Sequence, residues 1–122
     1  MTPRALVPAC RLTVTVLNRS RWKHTPLYVE ILTRAKRYGL RNATVLRAVE
    51  GFGADGVVGT ARVLGLGDRA PLMLVMTDEE PRISGFLDEL DPLMEIESMV
   101  VERVHQVVVS VPGAGQQMQE RA

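Results

Sequence analysis

The feature that most constrains this chain is a connection. Residues 43–50, Ala-Thr-Val-Leu-Arg-Ala-Val-Glu, read as a strand entering Gly51-Phe52-Gly53. A glycine-rich segment without helical or core periodicity continues to Ala70, and a second apolar strand starts at Pro71. Six of the ten glycines fall between Gly51 and Gly67. That concentration suits backbone conformations other residues resist. So long a connection inside a small domain is uncommon and is usually functional or disordered. Function is therefore expected in the 51–70 loop.

The chain's 122 residues allow one compact domain and not two. Residues 1–8, with two prolines, read as a flexible arm, residues 9–111 as the domain, and 112–122 as a flexible tail. From Arg11 to Asn18, Leu12, Val14 and Val16 alternate with Thr13 and Thr15, a strand with one apolar face. Thr25-Pro26 suits a helix start, with Thr as cap and Pro at the first helical position. Tyr28, Ile31, Leu32, Ala35 and Tyr38 form a helical stripe, and Gly39 suits a left-handed helix end. After the strand at 72–77, Asp78 can cap a second helix carrying Ile83, Phe86, Leu87 and Leu90, stopped by Asp91-Pro92. A β-branched run from about Ser98 to Val111 is the last strand.

The order β-α-β-β-α-β makes the fold α+β and ferredoxin-like, a four-stranded antiparallel sheet with two helices on one face. The other face would be open. Yet the third strand is apolar on both sides (Leu72, Leu74, Met76 against Met73, Val75), and so is much of the last. Strands apolar on both sides need cover on both sides. The open faces are expected to pack together in an oligomer.

Composition excludes several classes. A net charge of +1 and five aromatic residues argue against nucleic-acid binding. That total hides an asymmetry: residues 1–47 hold 10 of the 15 Lys and Arg and one acid, Glu30. Complementary faces within or between subunits explain it, as does a basic patch for an anion. Cys10 is the only cysteine, which precludes an internal disulfide and fits a reducing cytoplasm. No run of about 18 apolar residues marks a membrane helix, so the chain is not expected to be membrane-embedded.

Gly51-Phe52-Gly53-Ala54-Asp55-Gly56 matches the letters of a dinucleotide fingerprint. The fingerprint needs a helix directly after its glycines, and Val57-Val58-Gly59 is a poor start for one. An anion-binding nest of backbone amides remains open, beside a plain turn out of the sheet. Arg19, Arg21, Trp22, Lys23 and His24 lead to a helix N-terminus, which favours anions, and Trp22 either stacks on a base or covers the helix end. Arg47 and Arg62 flank the loop and could pair with a phosphate. The candidate ligand-binding set is Trp22, Arg47, Gly51, Phe52, Gly53 and Arg62. No spacing suits a metal, and no nucleophile is set beside His24 or His105. Asp78-Glu79-Glu80 reads as helix capping, so no catalytic residues are assigned and the chain is not expected to be an enzyme.

Several motifs carry a resemblance. They are Trp22 before Pro26-Leu27-Tyr28, Gly39-Leu40, Ala43 to Arg47, Glu50-Gly51-Phe52-Gly53-Ala54, Thr60 to Leu64, Pro71-Leu72, and Asp78 with its glutamates. Over about Cys10 to Val109 the chain resembles PII signal-transduction proteins and, more closely, the PII-like family catalogued as domain of unknown function 190. The resemblance implies a trimer with its sheets packed inward. It implies adenine nucleotides in clefts between subunits, and a T-loop, here 51–70, that docks on a membrane transporter or other protein. Departures bear on the ligand. Where PII proteins have a lysine-bearing phosphate loop, this chain reads Asp91-Pro-Leu-Met-Glu-Ile-Glu-Ser98. Their basic C-terminal segment and T-loop tyrosine are also missing.

The reading is a cytoplasmic, homotrimeric PII-like regulator. It binds a small anionic ligand, an adenine nucleotide being the leading case, and selects a partner through its loop. No cofactor is assigned with certainty. The alternative is a ligand-free structural trimer resembling divalent-cation-tolerance proteins. An acylphosphatase would need a glycine-framed anion loop, absent around Arg19 and Arg21.

Overall fold

The structure is a computed structural model and describes residues 4–52, 58–60 and 70–109. Its elements, in chain order, are β1 (Arg4–Leu17), β2 (Arg21–Trp22), β3 (Thr25–Pro26), α1 (Leu27–Tyr38), β4 (Thr44–Arg47) and β5 (Glu50–Phe52). Then come β6 (Val58–Thr60), β7 (Pro71–Asp78), α2 (Glu80–Leu90) and β8 (Ser98–Val109). The main sheet has the order β4-β7-β1-β8 and every neighbouring pair is antiparallel. This is the expected ferredoxin-like arrangement.

Register explains the core. Leu12, Val14 and Val16 of β1 face Met76, Leu74 and Leu72 of β7, and all six are buried. Leu27, Ile31 and Ala35 of α1 and Ile83, Phe86 and Leu90 of α2 close over them. The helices meet through Tyr38 and Phe86, rings 5.6 Å apart. Gly85 permits that approach, since a Cβ there would collide with the Tyr38 hydroxyl. Gly39 ends α1 at φ 90, and its N–H donates to the carbonyls of Ala35 and Lys36, as the sequence implied.

Among the described residues the opposite face has no such cover. Leu46 is 51% exposed, Met73 37% and Val100 50%. Thr13 lies between Val75 and Val100, and Thr15 between Met73 and Ser98, so these residues share one surface. On it Arg11 grips Glu102 through two bonds of 3.2 Å. That pairing holds the Glu102 carboxyl below the usual range and raises the Arg11 guanidinium, hydrogen bonding outweighing charge attraction.

Several boundaries differ from expectation. Residues 4–8 are no loose arm. They pair with 105–109 of β8 and extend a two-stranded ribbon past the end of β7. Ladder hydrogen bonds there need only backbone, and Pro8, lacking an N–H, lies on the stretch without a β7 neighbour. Helix α1 starts at Leu27, not Pro26, because Thr25 and Pro26 are used in a small hairpin with Trp22 and Arg21. Asp78 does not cap α2. Its carboxylate accepts the N–H groups of Arg41 and Glu79 at 2.8 Å and lies 3.6 Å from Arg82, pinning the α1–β4 turn to α2. The strand expected over 43–50 is broken at Ala48–Val49, where β4 leaves the sheet. Residues 110–122, including the expected tail and the last two positions of the final strand, lie outside the described residues.

Candidate functional site at the loop base

The loop begins in a ribbon of its own. Glu50, Gly51 and Phe52 pair with Thr60, Gly59 and Val58. No helix follows the glycines, because Val58–Thr60 is a strand. Gly51 does not form a nest, since among the described glycines only Gly39 has positive φ. Its role is close approach: a Cβ there would sit 3.1 Å from Pro71 Cγ. Phe52 is 70% exposed, and Val49 beside it is 65% exposed. Gly53 and Arg62 lie outside the described residues.

Backbone bonds sew this ribbon to one end of the sheet. Ala48 N–H donates to the Pro71 carbonyl at 3.0 Å, and Asn18 N–H to the Ala70 carbonyl at 3.0 Å. Arg47, opposite Leu72, ends β4 at that same end and is exposed. The turn into α1 stands nearby. Ser20 is buried, and its carbonyl accepts the Leu27 N–H at 2.8 Å. Lys23 takes a positive φ of 54 within the β2–β3 turn.

Trp22 is engaged within the chain. The Lys23 ammonium and the Arg34 guanidinium each lie 5.4 Å from its ring centroid. Arg34 also bonds Glu30 at 2.8 Å and the Glu89 carbonyl at 2.7 Å, so Trp22 lies against the link between the helices. Trp22 is one of the partly buried side chains packed against the core. No described contact joins Trp22 to Arg47. They share one end of the sheet, on segments that leave β1 and β4, strands separated by β7.

One participant was not foreseen. Glu95 sits at φ 71, and its carboxylate accepts the Arg21 N–H at 3.3 Å. Lys23 and Glu95 are the only described non-glycine residues at positive φ, an uncommon conformation for them, and they flank this contact. No local pattern in Leu93-Met94-Glu95 signals it.

Arg21, Lys23 and Arg47 are exposed cations that form no ion pair with a described carboxylate. Such a set can hold an anion through charge. Among the described residues no three His, Cys, Asp or Glu side chains gather as metal ligands. Likewise, no described helix is long and apolar enough to cross a membrane. Two grooves lie away from the loop base. One of about 350 Å³ is lined by Pro8, Glu80, Arg103 and His105. The other, about 380 Å³, is lined by Leu32, Lys36, Leu40 and Ala43.

Residues 9–106 match the sequence pattern of the DUF190 family, described as "Uncharacterized ACR". A UPF0166 protein of Aquifex aeolicus (strain VF5) is 37% identical over 65 residues, which are 53% of this chain and 62% of that relative. The chain thus spans less than two thirds of that relative's length. Among solved structures, CPII, a nitrogen regulatory PII-like protein from Thiomonas intermedia K12 bound to ADP, AMP and bicarbonate, is similar with TM-score 0.61 and 20% identity. That similarity covers 87% of this chain and 92% of CPII. CutA1 from Oryza sativa gives TM-score 0.54 and 14% identity, over 95% of this chain and 91% of CutA1. Likeness at this level of identity establishes a shared fold.

Proposed function

The chain belongs to the DUF190 family, and from that premise we propose that it is a PII-like regulatory protein. It works as a homotrimer in the cytoplasm, binds a small anionic ligand at the loop base, and contacts a partner protein through the 51–70 loop. An adenine nucleotide is the ligand class favoured, since CPII carries ADP and AMP on the same fold. The observation that carries the reading is the placement of the exposed Arg47 and Arg21, neither in an ion pair with a described carboxylate, and the exposed Phe52 at the end of the sheet where the loop departs. Cations there attract phosphates, and an exposed aromatic ring can stack on a base.

As a switch, the ligand acts only by preferring one loop state over the other. A membrane transporter is one class of partner for the loop. Gly51 packed on Pro71 gives the loop a fixed root from which such a change can be transmitted.

Calorimetric titration with ATP, ADP and AMP tests the proposal. Saturable binding at one site per chain is expected, weakened about tenfold by Arg47→Ala, which removes a charge-assisted hydrogen bond. Silence across these nucleotides and inorganic phosphate would overturn it. The second reading, a ligand-free trimer, is favoured by the CutA1 likeness and by Glu95 and Glu97 lying at this end of the molecule.

A further inference from the structure

The two edges of the sheet carry opposite charge at the loop end. Arg47 closes β4, one edge, and is level with Leu72 and through it with Val16. At the other edge Ser98 starts β8 opposite Thr15, and the Glu97 N–H donates to the Thr15 carbonyl at 2.9 Å. Glu97 therefore stands within one residue of the cross-sheet row of Arg47, three strands away. Asp88, Glu89, Asp91 and Glu95, all exposed, precede it in the chain, with no lysine or arginine between Arg82 and Arg103.

This arrangement is complementary to a second copy of itself. A cyclic trimer is heterologous, each copy meeting the next through two different patches. If the apolar open faces turn toward the axis and the strands run along it, those patches are the edges: β8 of one copy and β4 of the next. Rotation about an axis leaves height unchanged, so residues in one row remain level across the junction. Resting on the trimer proposed above, we infer that Glu97 and Glu95 of one copy face Arg47 of its neighbour across a β8–β4 junction. The cation that would recognise an external anion is then met by carboxylates of the adjacent chain. A nucleotide entering there competes with Glu95 and Glu97.

Within one chain the two positions are about 14 Å apart, three strand spacings of ~4.8 Å, too far for a disulfide, which needs Cα atoms within about 7 Å. Arg47→Cys combined with Glu97→Cys should therefore cross-link only between copies. Mild oxidation, read on denaturing gels in the Cys10→Ala background, should give covalent dimers and trimers, absent from either single variant. Charge reversal supplies the second arm. Arg47→Glu should raise the concentration needed for assembly roughly tenfold, since like charges then face each other. Adding Glu95→Arg and Glu97→Arg should restore it to within about threefold of the parent. A parent chain that sediments as a monomer would overturn the underlying trimer. A trimeric parent whose double-cysteine variant never cross-links, or whose reversed variants fail to rescue one another, would overturn the edge contact alone.

Discussion

The two faces of the sheet are built from similar residues and have opposite fates. Leu12, Leu74 and Met76 on the helix side are 0% exposed, while Leu46, Met73 and Val100 on the other side retain 37–51% exposure in the single chain. Helix packing explains the first set. Nothing among the described residues covers the second. A face carrying valine, leucine and methionine at this density is characteristic of an interface, and the ion pair it carries, Arg11 with Glu102, is internal to the face. The difference separates two kinds of stability: one belongs to the chain and the other to the assembly we propose.

The comparison can be broken most severely on the helix side. Phe86 is fully buried between α1 and the sheet, and Phe86→Ala should remove about 3–5 kcal/mol of folding stability. Denaturant unfolding would show this as a lower midpoint with little change in slope. If Phe86→Ala unfolds like the parent, the core assigned here is wrong.

A smaller effect on folding, with a large one on assembly, is expected from Met73→Glu. The side chain is already partly exposed, so a folded monomer should survive with its circular dichroism unchanged. Analytical centrifugation should register loss of the oligomer, because a charge buried across an interface without a partner is costly. An unchanged oligomer would show that the open face is not the contact.

The smallest effect should come from acid. Arg11 holds the Glu102 carboxyl below the ordinary range, so the pair contributes stability above the carboxylate's unfolded pKa. That contribution is lost as pH falls through the lowered folded value. Parent and Glu102→Gln should therefore differ near neutral pH and converge in strong acid. The pair is exposed, so the gap in the single chain should be slight and screened by salt. A gap that widens as pH falls would contradict the assignment.

How far the sequence reveals the molecule follows the same division. The helical stripe through Ile31 and Ala35, the Ile83–Phe86–Leu90 spacing and Gly39 are local patterns, and each element formed where its pattern lay. The apolar alternation on both sides of β7 also marked the open face. Contacts distant in sequence were hidden. Pairing of residues 4–8 depends on β8, about a hundred residues later. Asp78 looked like a cap because capping residues are recognised by position, whereas one of its partners, the Arg41 N–H, lies 37 residues away. At the loop base, Arg47 and Phe52 were legible as exposed features flanking glycines. Glu95 was not, since its positive φ and its bond to Arg21 arise from how two loops meet.

Native mass spectrometry of the unmodified chain in ADP joins the two faces and the loop base in one reading. Three copies of the 13.5 kDa chain, retaining up to one ADP each, is the result expected of an inward-packed, ligand-binding regulator. A lone chain would contradict the role given to the open face, and a trimer that retains no ADP would contradict the nucleotide site.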